Sequence, residues 1–361
     1  MNTYAWDATP THEFAAEPSV VLKVLDQTRL PFEVEYVEIA DVAACCRAIT
    51  AMQVRGAPLL GVVAAYGIAI AVHHDASDSA LTRSLELLAA TRPTAINLHW
   101  ALSKMAIGLW SVPEPERFSA AVKLANAIAQ SEADCCRAIG EHGAAWIREH
   151  SGERRELNIL THCNAGWLAT GAWGTALAPI YALQQQGHKL HVWVDETRPR
   201  NQGARLTAWE LAQAGIPHTI IADNAAGHLM QHGMVDVVIV GSDRTTASGD
   251  VCNKIGTYQK ALAARDNDVP FLVALPVSTI DWTITDGVRD IPIEQRDASE
   301  VVLLSGPDDD GIARTIRVAS VGSSAANFAF DVTPSRLVTT LITERGCIPA
   351  KTEAMAALRS E

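Results

Sequence analysis

From Leu157 onward the chain alternates short apolar runs with longer amphipathic stretches, and that rhythm constrains the fold more than any other feature. The runs Leu157–Thr161, Leu190–Asp195, Thr219–Ala222, Val235–Gly241 and Phe271–Leu275 read as strands. Helical patterns over Trp167–Gln186, Ala204–Ala214, Ala225–Gln231 and Lys254–Arg265 separate them. Apolar runs of this length without alternation belong to strands buried on both faces. Strand and helix at this spacing predict a parallel sheet covered on both sides. Ligands of such sheets sit beyond the carboxyl ends of the strands.

The first 130 residues have a different texture. A short extended segment, Phe32–Ile39, leads into a helix starting after Asp41, a good N-cap. Further helical patterns cover 58–74, 77–90, 94–109 and 116–150. Two parts are therefore expected: 1–130, mainly helical with a small β element, and 131–361, a Rossmann-like α/β catalytic part. Segment 316–331 reads as mixed strand and loop, and a last helix is expected after Pro334. The acidic run Pro307-Asp308-Asp309-Asp310-Gly311 reads as a solvated turn.

With 48% hydrophobic residues, 19% charged residues and a net charge of -12, the chain has the composition of a soluble enzyme. It carries no long basic run, which argues against nucleic acid or an anionic membrane as partner. The most apolar span, Ala57–Val72, is too short and too rich in Ala and Gly to read as a membrane helix. The N-terminus, with Asp7, Glu13 and Glu17, lacks a signal pattern. Seven cysteines, four of them in the adjacent pairs Cys45-Cys46 and Cys135-Cys136, make neither a disulfide framework nor a zinc spacing. A reducing cytoplasm is the expected setting.

Two motifs stand at strand ends. Thr161-His162-Cys163-Asn164-Ala165-Gly166 follows the first run, and Gly241-Ser242-Asp243-Arg244 follows the fourth. Cys163 and Asp243 are thus aimed at one crevice, and a thiol with a carboxylate there suggests proton transfer. If Gly166 leads into a helix, its N-terminus would lower the thiol pKa; the ordinary alternative is a buried structural cysteine. Asp243 in a dry crevice would be raised toward neutrality, as an acid/base group needs; otherwise it caps a helix or pairs with Arg244. Asp250 reads equally well as a turn residue.

Three segments could cradle a phosphate. Arg55-Gly56-Ala57-Pro58 precedes a helix with Pro at its first position. Arg92-Pro93-Thr94 repeats the device, and Asn253-Lys254 opens the helical pattern after a Gly-Asp turn. Gln202, in the polar stretch 195–203, could donate to an oxyanion, although that stretch could also be an ion-paired loop or a subunit contact. No second basic cluster for another phosphate is visible. His228 and His232 lack the glutamate of the metalloprotease pattern, and Gly166, Gly171 and Gly174 have the wrong spacing for a dinucleotide fingerprint. Neither a metal nor a cofactor is expected.

Together these motifs closely resemble the methylthioribose-1-phosphate isomerase family. The resemblance runs from Arg55-Gly56-Ala57-Pro58 through Arg92–Leu98, the Cys163 motif, 195–210, 216–230, 243–256 and Ser278–Asp281 to Ala329–Pro334. It implies a helical N-terminal domain, a Rossmann-like C-terminal domain and a homodimer. The implied catalytic pair is Cys163 and Asp243, with Arg55, Gly56, Ala57, Arg92, Gln202, Asn253 and Lys254 on the substrate. The implied activity is isomerisation of 5-methylthioribose 1-phosphate to 5-methylthioribulose 1-phosphate in methionine salvage, by a proton-transfer or a hydride-transfer route. The same fold serves ribose 1,5-bisphosphate isomerases and regulatory subunits of the translation-initiation exchange factor; a non-catalytic subunit is therefore the competing class. The chain departs from the family at Trp167, Trp173, Ser242, Ser248 and Phe328. The two tryptophans adjoin the cysteine motif and leave the sugar's 5-substituent open between methylthio, deoxy and related groups.

Overall fold

The computed structural model describes residues 12–15, 20–152 and 156–359. In the first part, β1 (His12–Ala15), β2 (Val21–Leu25) and β3 (Tyr36–Ile39) form an antiparallel sheet in that order. Five helices follow: α1 (Val42–Thr50), α2 (Ala57–His74), α3 (Asp78–Thr91), α4 (Ile96–Leu109) and α5 (Glu114–Ser151). The Asp41 side chain accepts from Ala44 N and caps α1, as its sequence position predicts. Helix α2 is apolar all round and long enough to cross a membrane, but 89% of it is buried inside the protein. It is the central helix of this part, and its burial explains its lack of a polar face.

Helix α5 runs without a break through residue 130, where the division into two parts was expected. Its first half packs Ala121, Ala125 and Ile128 into the core of the helical part. Its second half packs Ile139, Ala144 and Ile147 onto the sheet. A 38-residue helix is about 57 Å long, enough to serve both cores.

The main sheet contains β4 (Leu157–Thr161), β5 (Leu190–Asp195), β6 (His218–Ile221), β7 (Val237–Val240) and β10 (Phe271–Ala274), with β15 (Thr340–Thr343) and β16 (Gly346–Ile348). Between and after these lie β8 (Arg244–Thr246), β9 (Val251–Lys254), β11 (Ile280–Asp281), the hairpin β12 (Leu303–Pro307) and β13 (Ala313–Arg317), and β14 (Phe330–Thr333). The seven-stranded order is β16-β15-β10-β7-β4-β5-β6, parallel except for β16. Along β7, Val237 and Ile239 face one core while Val238 and Val240 face the other. β10 alternates in the same way, so the apolar runs are strands covered on both sides, as their composition requires. The acidic run forms the β12–β13 turn, where Asp308 accepts from the amides of Asp310 and Ile312.

Three local expectations need correcting. After Gly166 there is only a three-residue 3-10 turn, Trp167–Ala169, and the helix α6 (Leu177–Gln185) begins later, followed by α7 (Ala208–Gln213) and α8 (Ala226–Gln231). Asn253 and Lys254 do not open a helix; they end strand β9, and α9 (Thr257–Asp266) starts past the left-handed Gly256. After Pro334 comes a 3-10 turn, Ser335–Leu337, then β15 and β16, and the last helix begins only at Thr352. At Asn253–Lys254 and after Pro334, strand pairing with distant segments overrides the local helical pattern; after Gly166, Glu210 takes the amides of Trp167 and Leu168 instead.

Candidate active site

The chain visits β4, β5 and β6 in one direction across the sheet, then returns to place β7 on the other side of β4. The order reverses between β4 and β7, and a crevice opens at their carboxyl ends. Cys163 lies two residues beyond β4 and Asp243 three beyond β7. One pocket is lined by both, and by Arg55, Gly56, Ala57, Arg92, Gln202, Asn253 and Lys254. Every site residue singled out in the sequence therefore meets there, drawn from both parts of the chain.

The cysteine loop is held from three sides. Cys163 is a non-glycine residue at φ +64°, a conformation that costs energy and persists only where its surroundings impose it. Its amide donates to Thr197 Oγ1 at 2.9 Å, and its carbonyl accepts from Thr207 Oγ1 at 2.6 Å. Next to it, Asn164 Nδ2 donates to Glu210 Oε1 at 2.8 Å. Glu210 also accepts from the amides of Trp167 and Leu168 and from the Tyr181 hydroxyl. Burial pushes its carboxyl up to about 7 against these four donors. Gly166 is required because a Cβ there would meet Glu210 Oε2 at 2.0 Å.

Arg55 donates to both the side chain and the carbonyl of Asn164. Its neighbour Gly56 has φ +97°, and a Cβ there would fall 2.4 Å from the Ala169 carbonyl. Only glycine lets the start of α2 approach the cysteine loop this closely. Arg55 and the amino end of α2 thus face the pocket, as Pro58 at the first helical turn predicts.

Asp243 is half-buried. Burial raises its carboxyl, countered by Lys254, Arg55 and Arg92 and reinforced by Glu294. This is the direction expected of an acid/base group. Arg244 is not its partner, for it pairs with Asp281 at 3.3 Å and donates to the Thr94 carbonyl. The Cys163 thiol goes the other way from the expectation. Burial raises it, Arg55 and Lys254 pull it down and Asp243 raises it further; no helix starts at the loop. Lys254 is lowered by burial and sits 4.6 Å from the Phe330 ring centroid. Asp250 turns out to be a structural residue, accepting from the amides of Gly287 and Ser335.

Some pocket residues were not singled out in the sequence. His162, Arg244, Arg296, Ile291, Pro292 and Phe330 also line it. His162 stood inside a quoted motif, but Arg296 belongs to no motif and carried no signal. His162 Nδ1 faces Asp195 Oδ2 at 3.0 Å and Nε2 faces the Ile255 carbonyl at 2.8 Å. Lys260 Nζ lies 3.1 Å from the same Asp195 oxygen. His162, Asp195 and Asp223 offer donor atoms within 4.8 Å of one another; the Lys260 ammonium already supplies a cation to Asp195. A side cavity also brings Arg200 and Arg205 beside Arg55, a basic group invisible in the sequence. Arg200 pairs with Glu300 and Arg205 donates to the Ser305 carbonyl. The unusual tryptophans do not line the main pocket: Trp167 packs tilted against Trp209 at a centroid distance of 5.8 Å, beside Leu25, Leu30 and Leu206.

Residues 53–350 match the initiation factor 2 subunit family. Over 339 residues the chain is 62% identical to methylthioribose-1-phosphate isomerase of Methylorubrum populi, covering 94% of this chain and 93% of that protein. The chain belongs to the methylthioribose-1-phosphate isomerase family. Among solved structures, family likeness extends to 5-methylthioribose 1-phosphate isomerase of Pyrococcus horikoshii, with a TM-score of 0.84, 36% identity, and coverage of 100% of this chain and 98% of that one. A translation initiation factor eIF-2B delta subunit from A. fulgidus matches with a TM-score of 0.78 and 37% identity, over 94% and 96% of the two chains. The helical first part and the parallel sheet are therefore the family's fold.

Proposed function

We infer that this chain isomerises 5-methylthioribose 1-phosphate to 5-methylthioribulose 1-phosphate, the activity of relatives that are 62% identical over nearly the whole length. The observation that carries the reading is the meeting of Cys163, Asp243 and three cations, Arg55, Arg92 and Lys254, in one pocket at the switch point of the sheet. The anomeric phosphate prevents the sugar from opening by itself. The enzyme must protonate the ring oxygen as the C1–O bond breaks, take the proton from the C2 hydroxyl, and let hydrogen pass from C2 to C1. Asp243 is the acid/base group, since desolvation in the crevice raises its carboxyl above the ordinary carboxylate range, the direction such a group needs. Cys163, a raised thiol on the opposite strand end, assists near the same carbons. The cations and the amides of Gly56 and Ala57 anchor the phosphate and so fix the reacting carbons. The apolar wall of Met52, Leu60, Ile291 and Phe330 suits a methylthio group better than a charged one. The protein acts as a cytoplasmic homodimer on this reading.

Turnover by the purified protein of a panel of 5-methylthio, 5-deoxy and 5-phospho pentose 1-phosphates tests the assignment. The methylthio compound is expected to have the highest kcat/KM. A well-folded protein inactive on all three would move the chain to the non-catalytic subunits of the fold.

Arg55→Ala and Arg92→Ala are each expected to weaken substrate binding by one to two decades, since each removes a charge-assisted contact worth about 1.5–3 kcal/mol. Lys254→Ala acts in the same direction but less, because an ammonium is less directional than a guanidinium. Sulfate should inhibit the wild type and inhibit the two arginine variants less. Unchanged KM and sulfate inhibition in both would place the phosphate elsewhere.

A further inference from the structure

Glu294 is not among the pocket-lining residues, yet it bridges two that are. Its Oε2 lies 3.1 Å from Arg92 and its Oε1 2.9 Å from Arg296. Arg296 has a second carboxylate, Glu300, which is also shared with Arg200. The ion pair of Arg92 is with Glu294. The backbone around Glu294 is held firmly: the Ala329 amide donates to the Glu294 carbonyl, the Arg296 amide to the Asn327 carbonyl, and Gln295 bridges Phe328. That ladder leads directly into β14, which pairs Phe330 with Lys254. Glu294 is therefore fastened to the same wall that carries Lys254.

We propose that Glu294 is a positioning residue for the isomerisation, holding Arg92 and Arg296 in the pocket wall and acting on the substrate through Asp243. This inference rests on the reading of Asp243 as the acid/base group.

The charges make the point. Arg244 is matched by Asp281, and Arg296 by Glu300. That leaves Arg55, Arg92 and Lys254 facing Asp243, with the Cys163 and Cys252 thiols beside them and Glu294 behind. The three cations pull the Asp243 carboxyl down against the desolvation that raises it. Glu294 offsets one of them, and a bound phosphate dianion offsets more. Both push the Asp243 carboxyl upward, toward the form that can deliver a proton to the ring oxygen. Glu294 thus lets Arg92 face the phosphate while offsetting its pull on the acid beside it.

The test is the pH profile of kcat for Glu294→Gln, a change that keeps the shape and one acceptor but removes the charge. Less negative charge stabilises ionised Asp243, so the limb set by Asp243 moves to lower pH, whether the acid or the base form is the active one. KM for the sugar phosphate stays the same or falls, because a carboxylate near the phosphate has gone. Glu294→Asp, which restores the charge, brings the limb back toward its wild-type position. If both variants lower kcat equally at every pH and leave the limb in place, Glu294 is only a structural tie and the proposal is overturned. Asp243→Asn separates this from the catalytic reading. An inactive Asp243→Asn together with an unmoved Glu294→Gln limb sinks this inference alone, whereas an active Asp243→Asn sinks both.

Discussion

Asp243→Asn is expected to lower kcat by at least about 10²-fold, the usual scale for a positioned acid/base group. Cys163→Ser should do the same. The amide of Asn keeps the shape of the carboxylate but can neither take nor give the proton, and KM should change little, because the phosphate anchors are other residues. The fold should survive both changes. Asp243 and Cys163 stand beyond strand ends, and the backbone bonds from Cys163 to Thr197 and Thr207 do not involve the thiol. Steady-state kinetics beside a circular-dichroism melt would check this. Near-normal turnover by Cys163→Ala would return the cysteine to a packing role and leave its left-handed backbone without a catalytic purpose.

The largest effect on stability is expected behind the pocket, at Lys260 and Asp195. Lys260 is 2% exposed and Asp195 0%. The ammonium is paired with Asp195, which in turn faces His162. Removing one partner of a buried pair leaves the other charge uncompensated, at about 3–5 kcal/mol. Lys260→Ala and Asp195→Ala should each lower the denaturant midpoint by a corresponding amount with the slope unchanged. The double change Lys260→Met with Asp195→Leu should cost less than either single alanine variant, since no charge is then stranded. Midpoints of the single variants matching wild type would mean that the pair is not buried as described. The same network ties the ends of β4 and β5 to α9, so its loss should also loosen the loop carrying Cys163.

The likeness to both an isomerase and an initiation-factor subunit shows that the scaffold alone does not decide function. What separates the two readings is chemical: a raised carboxylate and a thiol facing three cations in one pocket. This is why the substrate panel and the paired variants carry more weight than any further comparison of folds.

The parallel sheet and the position of its crevice are legible in the alternation of apolar runs and amphipathic stretches. Strand runs such as Leu157–Thr161 and Leu190–Asp195 match the structure residue for residue, because strands covered on both faces are predominantly apolar. Cys163, Asp243, Arg55, Arg92, Gln202, Asn253 and Lys254 were marked by their motifs together with the family resemblance, since for single polar residues at strand ends and before helices ordinary structural roles remain open. Local pattern failed where a segment's partner lies far along the chain. Lys254 reads as the start of a helix, but it pairs with Phe330 across a small sheet that no local period announces. The Cys163 loop reads as a helix start, yet Glu210, 47 residues on, takes the amides that would have opened one. Which charges remain unpaired is a further tertiary matter. Arg296 enters the site, with Glu294 behind it, only because the segment carrying them is laddered to residues 327–329, and that packing sets part of the electrostatics of Asp243.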